Sequence, residues 1–160
     1  MKMNKIFVKN KNTNYTIIIG KGTLGKLKVQ INNLCPKTKK IGLILDKNIP
    51  NNFKIKIKKQ LKKYSVHVYE FIPNEKLKSF KKANDLLERL IKNNLSRNDT
   101  IITVGGGIIG DFGSFVASIY KRGINLMTIP STLLAQVDSS IGGKTAVNSA
   151  GGKNLIGTFY

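Results

Sequence analysis

This 160-residue chain has no tryptophan, one cysteine, one histidine and four prolines. A single thiol, Cys35, excludes a disulfide framework and an all-cysteine zinc site, and fits a reducing, cytoplasmic compartment. A single imidazole, His67, cannot supply a metal centre built on two histidines. No apolar run reaches the roughly 18–20 residues of a spanning helix, so no membrane association is expected. The opening MKMNKIFVKNKNTN lacks an apolar stretch followed by a small-residue cleavage site, so no secretory signal is expected. Acidic residues are few, with 8 Asp and Glu against 28 Lys and Arg and a formal net charge of +20.

That charge, taken alone, suggests nucleic acid or an acidic surface as partner. Its distribution argues otherwise. Residues 1–99 carry a net +18 and residues 100–160 only +2. Of the basic residues 25 are Lys and three are Arg: Arg89, Arg97 and Arg122. Sequence-specific nucleic-acid readers lean on Arg, whose planar fork pairs bidentately with guanine and phosphate. Lysine mixed with abundant Asn and Ile follows a bias toward A/T-rich codons, and these lysines are expected to be a solvated surface.

Two β-branched runs, Lys5–Lys9 and Tyr15–Ile19, read as strands. Residues 23–34 read as a helix. Ile41–Leu45 is a continuous apolar run of the kind buried on both faces of a parallel sheet, and it stops at Asp46. Phe53–Leu61 reads as a helix with a basic outer face, and Ser65–Ile72 as a strand. Phe80, Ala83, Leu86, Leu87, Leu90 and Ile91 recur at helical spacing. Thr100–Val104 is a second buried strand, followed by a helix over Phe112–Tyr120, a strand over Asn125–Ile129 and a short helix over Thr132–Val137. Strands alternating with helices predict an α/β fold, a Rossmann-like parallel sheet with helices on both faces.

Eleven of the 15 glycines follow residue 100, a density expected where backbone must approach a ligand. Gly105, Gly106 and Gly107 lie between a buried strand and a helix, where free N–H groups and the helix dipole favour an anion. Gly105, Gly107 and Gly110 fit a G-x-G-x-x-G string, although a tight structural turn would leave the same trace. Asp111 repels phosphate and suits ligand hydroxyls; a helix-terminal acid is the plainer alternative. Ser131 and Thr132 follow Pro130 and either donate to a ligand or cap the next helix. Asp138, Ser139, Ser140, Gly142, Gly143, Lys144 and Asn148 form a stretch too polar for a core, which reads as a binding site. Lys144 and Lys153, the latter beside Asn154, are placed to meet an anionic substrate. The run Pro73, Asn74, Glu75, Lys76, Leu77 and Lys78 reads by itself as an ordinary turn before a helix.

The stretches GGGIIGD, YKRG, IPSTLLAQVDSSIGGKTAVN and GKNLIGTFY closely resemble the 3-dehydroquinate synthase family of sugar phosphate cyclases, without gaps over roughly residues 100–160. NEKLK resembles the family's glutamate–lysine loop, with Leu77 where a tyrosine is common, and Ser131 stands where threonine is usual. The resemblance implies NAD as cofactor. Its pyrophosphate would lie on Gly105, Gly106, Gly107, Ile108, Ile109, Gly110 and Asp111. Asp46 would face the adenosine side. Pro73, Asn74, Glu75, Lys76, Leu77 and Lys78 would form the cofactor loop, with Ser131 and Thr132 near the nicotinamide half. Asp138, Lys144, Lys153 and Asn154 would face nicotinamide and substrate. Arg122 would help bind substrate phosphate across a homodimer.

The implied reaction converts 3-deoxy-D-arabino-heptulosonate 7-phosphate to 3-dehydroquinate and phosphate in the shikimate pathway. The family's divalent metal, zinc or cobalt, is held by a glutamate and two histidines of a C-terminal helical domain, which this chain lacks. Residues 1–160 are therefore expected to be the N-terminal NAD-binding domain, incomplete at its C-terminal end and inactive alone. The exposed, uncapped ending at Phe159 and Tyr160 fits that expectation. Alternatives are another sugar phosphate cyclase such as 2-deoxy-scyllo-inosose synthase, a related polyol dehydrogenase, a pseudoenzyme kept for assembly, or a basic nucleic-acid-binding module.

Overall fold

A computed structural model describes residues 3–9 and 14–160. β-Branched and aromatic residues at Asn4–Lys9 (β1) and Asn14–Ile19 (β2) form an antiparallel pair, with Asn4 opposite Ile19. The expected helix over 23–34 begins as a 3₁₀ turn, Thr23–Lys26, entered through left-handed Gly22, and becomes α-helical at Leu27–Leu34 (α1).

Lys40–Asp46 (β3), Ser65–Phe71 (β4), Thr100–Gly105 (β5) and Asn125–Pro130 (β6) make a parallel sheet in the order β4-β3-β5-β6. Helices Asn51–Gln60 (α2), Phe80–Lys92 (α3) and Gly107–Ile119 (α4) connect these strands. The chain passes from β3 to β4 on one side, then returns to β5 on the other. The order thus reverses between β3 and β5, and at such a switch point the carboxyl ends of the strands leave a crevice for a ligand.

Period-two side-chain alternation sends neighbouring residues of each strand into different layers. Ile41, Leu43, Leu45, Ile102 and Val104 pack with Leu27 and Ile31 of α1 and with Ile57 and Leu61. Ile44 and Ile101 pack on the opposite face with Ala83, Leu86 and Leu90 of α3 and Phe112, Phe115 and Val116 of α4. The predicted two-faced α/β architecture is what the chain adopts. Phe80 and Ile91, read as part of the buried stripe of α3, are instead more than half exposed, at 56% and 52%.

The strand starts are pinned by a buried carboxylate. Asp99 accepts hydrogen bonds from the backbone N–H groups of Lys39 (3.0 Å), Lys40 (2.7 Å) and Ser96 (2.6 Å). Burial works against its ionisation, but these donors outweigh it and hold the carboxyl below the usual aspartate range.

Two stretches depart from the sequence reading. Helix α4 begins at Gly107, five residues before the expected Phe112, so most of the glycine loop is itself helix. The polar stretch after the short helix Leu133–Val137 (α5) is not all loop. Lys144–Ser149 (β7) and Gly152–Phe159 (β8) form an antiparallel hairpin whose register shifts between Val147 and Ser149. Thr145 and Val147 are buried, and Val147 joins the core beneath α4.

Candidate functional site

The site grows out of the C-terminal ends of β3 and β5. Gly105 ends β5, Gly106 is the N-cap of α4, and no side chain caps that helix. Its first N–H groups and the positive end of its dipole therefore face the crevice. The glycines here are not equivalent. A Cβ on Gly105 would lie 2.7 Å from Ile109 Cβ and 3.1 Å from Asp46 Cβ, so the close return of the first turns of α4 over the strand end excludes one. A Cβ on Gly106 would meet nothing nearer than Thr132 Cγ2 at 3.4 Å, and one on Gly107 nothing nearer than Ser139 Oγ at 3.9 Å. The backbone of Gly106, φ −76° and ψ −172°, suits any residue. The fold does not require glycine at either position, and the cradle they leave is what a side chain would fill.

Asp46, buried at the end of β3, directs Oδ1 to the N–H of Asn48 at 2.8 Å. Across the crevice, Ser131 N–H donates to Gly105 O at 2.9 Å, which fixes the β6–α5 turn beside the glycine loop. Thr132 takes the plainer of its two expected roles, its hydroxyl accepting from Ala135 N–H at 3.2 Å as N-cap of α5. Asp138 lies exposed at the C-cap of α5, and Lys144 is exposed at the start of β7. Gly143, with φ +70°, leaves no room for a Cβ, which would sit 2.5 Å from Tyr160 O.

The turn at 73–78 is far from ordinary. Pro73 is half-buried, and Asn74 and Lys76 are exposed. Leu77 is buried in the core, so only its backbone is available to a ligand; the same holds for Ile109, while Ile108 packs at the core margin. Lys78 is 4% exposed. Its ammonium donates to Asp111 Oδ2 at 2.6 Å and to Asn154 Oδ1 at 2.5 Å. Asn154 adopts a left-handed φ of 58°. Lys153 pairs loosely with Glu75 at 3.9 Å, its side chain largely in water.

Asp111 was expected to receive ligand hydroxyls or to act as a helix-terminal acid. It sits in the second turn of α4 with Lys78 already on its carboxylate. Burial pushes its carboxyl up from the ordinary range; Lys78 opposes that shift, and Asp138 and Glu75 add to it. Glu75 moves the other way: the amide of Asn148 and, more weakly, the charges of Lys153 and Lys78 hold it low against a small desolvation cost.

The fold brings Asp46, the glycine loop, Ser131, the 73–78 turn, Asp111 and Asn154 to one end of the sheet. It does not bring Arg122 there. Arg122 follows the C-terminal end of α4, which at 13 residues puts it about 20 Å from the glycine loop. It is exposed, with φ 62° after Lys121 at φ 50°. Sequence reasoning counted Ser139 and Asn148 in the polar binding stretch without a separate role for either; Ser139 abuts the first turns of α4. Among the described residues no three His, Cys, Asp or Glu side chains cluster as a metal would require.

Sheet order, switch-point cradle and capless helix define a Rossmann-like α/β domain. A family model described as 3-dehydroquinate synthase N-terminal matches residues 68–160, and the chain belongs to that family. It is similar to the 3-dehydroquinate synthase of Pelagibacter ubique (strain HTCC1062), 44% identical over 160 residues. That alignment spans all of this chain and 44% of the relative. The 3-dehydroquinate synthase of Clostridium beijerinckii is also 44% identical, over 91% of this chain and 42% of its own length. The chain thus spans less than half the length of these curated relatives. Among solved structures, 2-deoxy-scyllo-inosose synthase complexed with carbaglucose-6-phosphate, NAD+ and Co2+ superposes with a TM-score of 0.88 at 28% identity, covering 98% of this chain and 42% of that one. A 2-epi-5-epi-valiolone synthase with NAD+ and Zn2+ bound, TM-score 0.73 and 22% identical over 84% of this chain and 38% of its own, shares the fold.

Proposed function

We propose that this chain supplies the NAD site of a 3-dehydroquinate synthase, acting on 3-deoxy-D-arabino-heptulosonate 7-phosphate in the shikimate pathway of the cytoplasm. The observation that carries the reading is the Gly106–Gly107 cradle, glycine where this fold tolerates a side chain, in front of uncapped helix N–H groups. A pyrophosphate fits there because the site offers N–H donors, the helix dipole and open space.

NAD, when bound, supplies reversible removal of hydride from a substrate carbinol. The residues of this chain would do the rest. The first turn of α4 would hold the pyrophosphate, and Asp46 would accept a hydroxyl of the adenosine ribose. Lys78 keeps Asp111 and Asn154 in place by its two short hydrogen bonds. Lys144, Lys153 and Asn154 would receive the anionic substrate, with Asp138 beside them. Ser131 and Thr132 would border the nicotinamide half, and Arg122 would reach the substrate phosphate of a second subunit in a homodimer. The described residues do not fit a divalent metal, so no step here depends on one. The absence of a role for nucleic acid or membrane belongs to the same proposal.

Isothermal titration of the chain with NAD tests it. A dissociation constant of about 1 mM, a binding energy of roughly 4 kcal/mol, is expected for this part of the contacts. Gly106→Ala should keep the wild-type melting temperature and weaken NAD at least tenfold. No NAD binding by wild type, or equal binding by the variant, would overturn the proposal.

A further inference from the structure

We infer that Asn148 is a positioning residue, a bracket that fixes the Glu75–Lys78 turn against Asn154 at the mouth of the cradle. Asn148 lies where the β7–β8 register shifts, so its hydrogen-bonding groups are free of the hairpin ladder. Two of them reach the distant 75–78 turn and one reaches Asn154 across the hairpin connection. Its backbone N–H donates to Lys78 O at 2.7 Å, and it bridges in parallel to Ser79. Its Nδ2 donates to Glu75 Oε2 at 2.9 Å. Its Oδ1 accepts the N–H of Asn154 at 2.9 Å. The orientation of the amide is dictated by its neighbours, since a carboxylate needs a donor and an N–H needs an acceptor.

These bonds close a ring. Asn148 holds Asn154 by its main chain, Asn154 holds the ammonium of Lys78 by its side chain, and Lys78 holds Asp111. Asn148 also grips the main chain of Lys78 from the other side. The 73–78 turn, the second turn of α4 and the β7–β8 connection are thereby locked before any ligand arrives, which lowers the ordering cost of binding. One amide does both jobs here. Aspartate keeps the acceptor but sets a second carboxylate against Glu75, and alanine keeps neither.

The consequence for affinity rests on the NAD reading; the bracket itself does not. The test compares wild type with Asn148→Ala, Asn148→Asp and Thr145→Ala. Thr145 bonds only Thr158 within the hairpin, so its variant loosens the hairpin and spares the bracket. Amide hydrogen exchange should show loss of protection at Asn154 in Asn148→Ala but not in Asn148→Asp. Both Asn148 variants should bind NAD about tenfold more weakly than Thr145→Ala when compared at equal stability. An Asn154 amide still protected in Asn148→Ala overturns the bracket, as does NAD affinity that follows melting temperature alone across the three variants. Failure of wild type to bind NAD would remove the NAD reading and leave the exchange experiment to decide the bracket.

Discussion

Lys78 shows how a residue with an unremarkable sequence setting becomes central. Apart from the family resemblance of NEKLK, composition and spacing do not set its second lysine apart from the other described lysines, nearly all of which are exposed. Burial at 4% with two short acceptors sets it apart. Lys78→Met removes the cation and leaves the Asp111 carboxylate part-buried and alone, a change expected to cost about 3 kcal/mol near neutral pH. The pH dependence has a definite sign. Burial raises the Asp111 carboxyl above the ordinary aspartate range, so it holds its proton to higher pH than the unfolded chain does. Stability from this group therefore falls as pH rises through that window. Without Lys78 the window widens. The variant's melting temperature should approach that of wild type as pH is lowered from 7 toward 4. A gap that stays constant with pH would assign Lys78 a packing role instead.

At the scale of elements, the long buried strands and α3 were legible because their periodicity is strong and local. Two readings erred where glycine carries opposite meanings. Gly107 and Gly110 suggested loop ahead of Phe112, yet they are helical; Gly113, inside the expected helix, is where α4 passes close over the sheet. A Cβ on Gly113 would lie 2.3 Å from Thr103 Cγ2 and 3.1 Å from Ile44 Cδ1. Gly113→Ala should therefore lift α4 from the sheet and lower stability by about 2 kcal/mol, despite the better helix propensity of alanine. Chemical denaturation measures it; a neutral or stabilising result would show that the helix–sheet spacing gives way easily. In β7–β8 the alternation of buried Thr145 and Val147 was present in the sequence, but the density of Gly, Ser and Lys suggested a ligand loop. The segment is a hairpin, and the start of its second strand carries Lys153 and Asn154.

For the molecule as a whole, the reaction proposed above would need electrostatic activation of a carbinol, a contribution commonly worth several kcal/mol of barrier. The described residues hold no cluster able to bind the metal that would supply it. Purified residues 1–160 are expected to release no phosphate from 3-deoxy-D-arabino-heptulosonate 7-phosphate above background, with or without added zinc. Phosphate release by this chain would place the activating group among residues described here. The sequence by itself determined the sheet, the strand-to-helix position of the glycine loop and the family, since these rest on local periodicity and on contiguous motifs. Tertiary structure alone decided which glycines packing requires and which leave a cradle, that Thr132 caps a helix, that Arg122 stands far from the loop, and that Glu75, Lys78, Asp111, Asn148 and Asn154 meet. Apart from the local Thr132 cap, which the sequence offered as one alternative, these placements are set by strand order and helix approach, which bring the 75–78 turn, α4 and the β7–β8 hairpin together from segments dozens of residues apart.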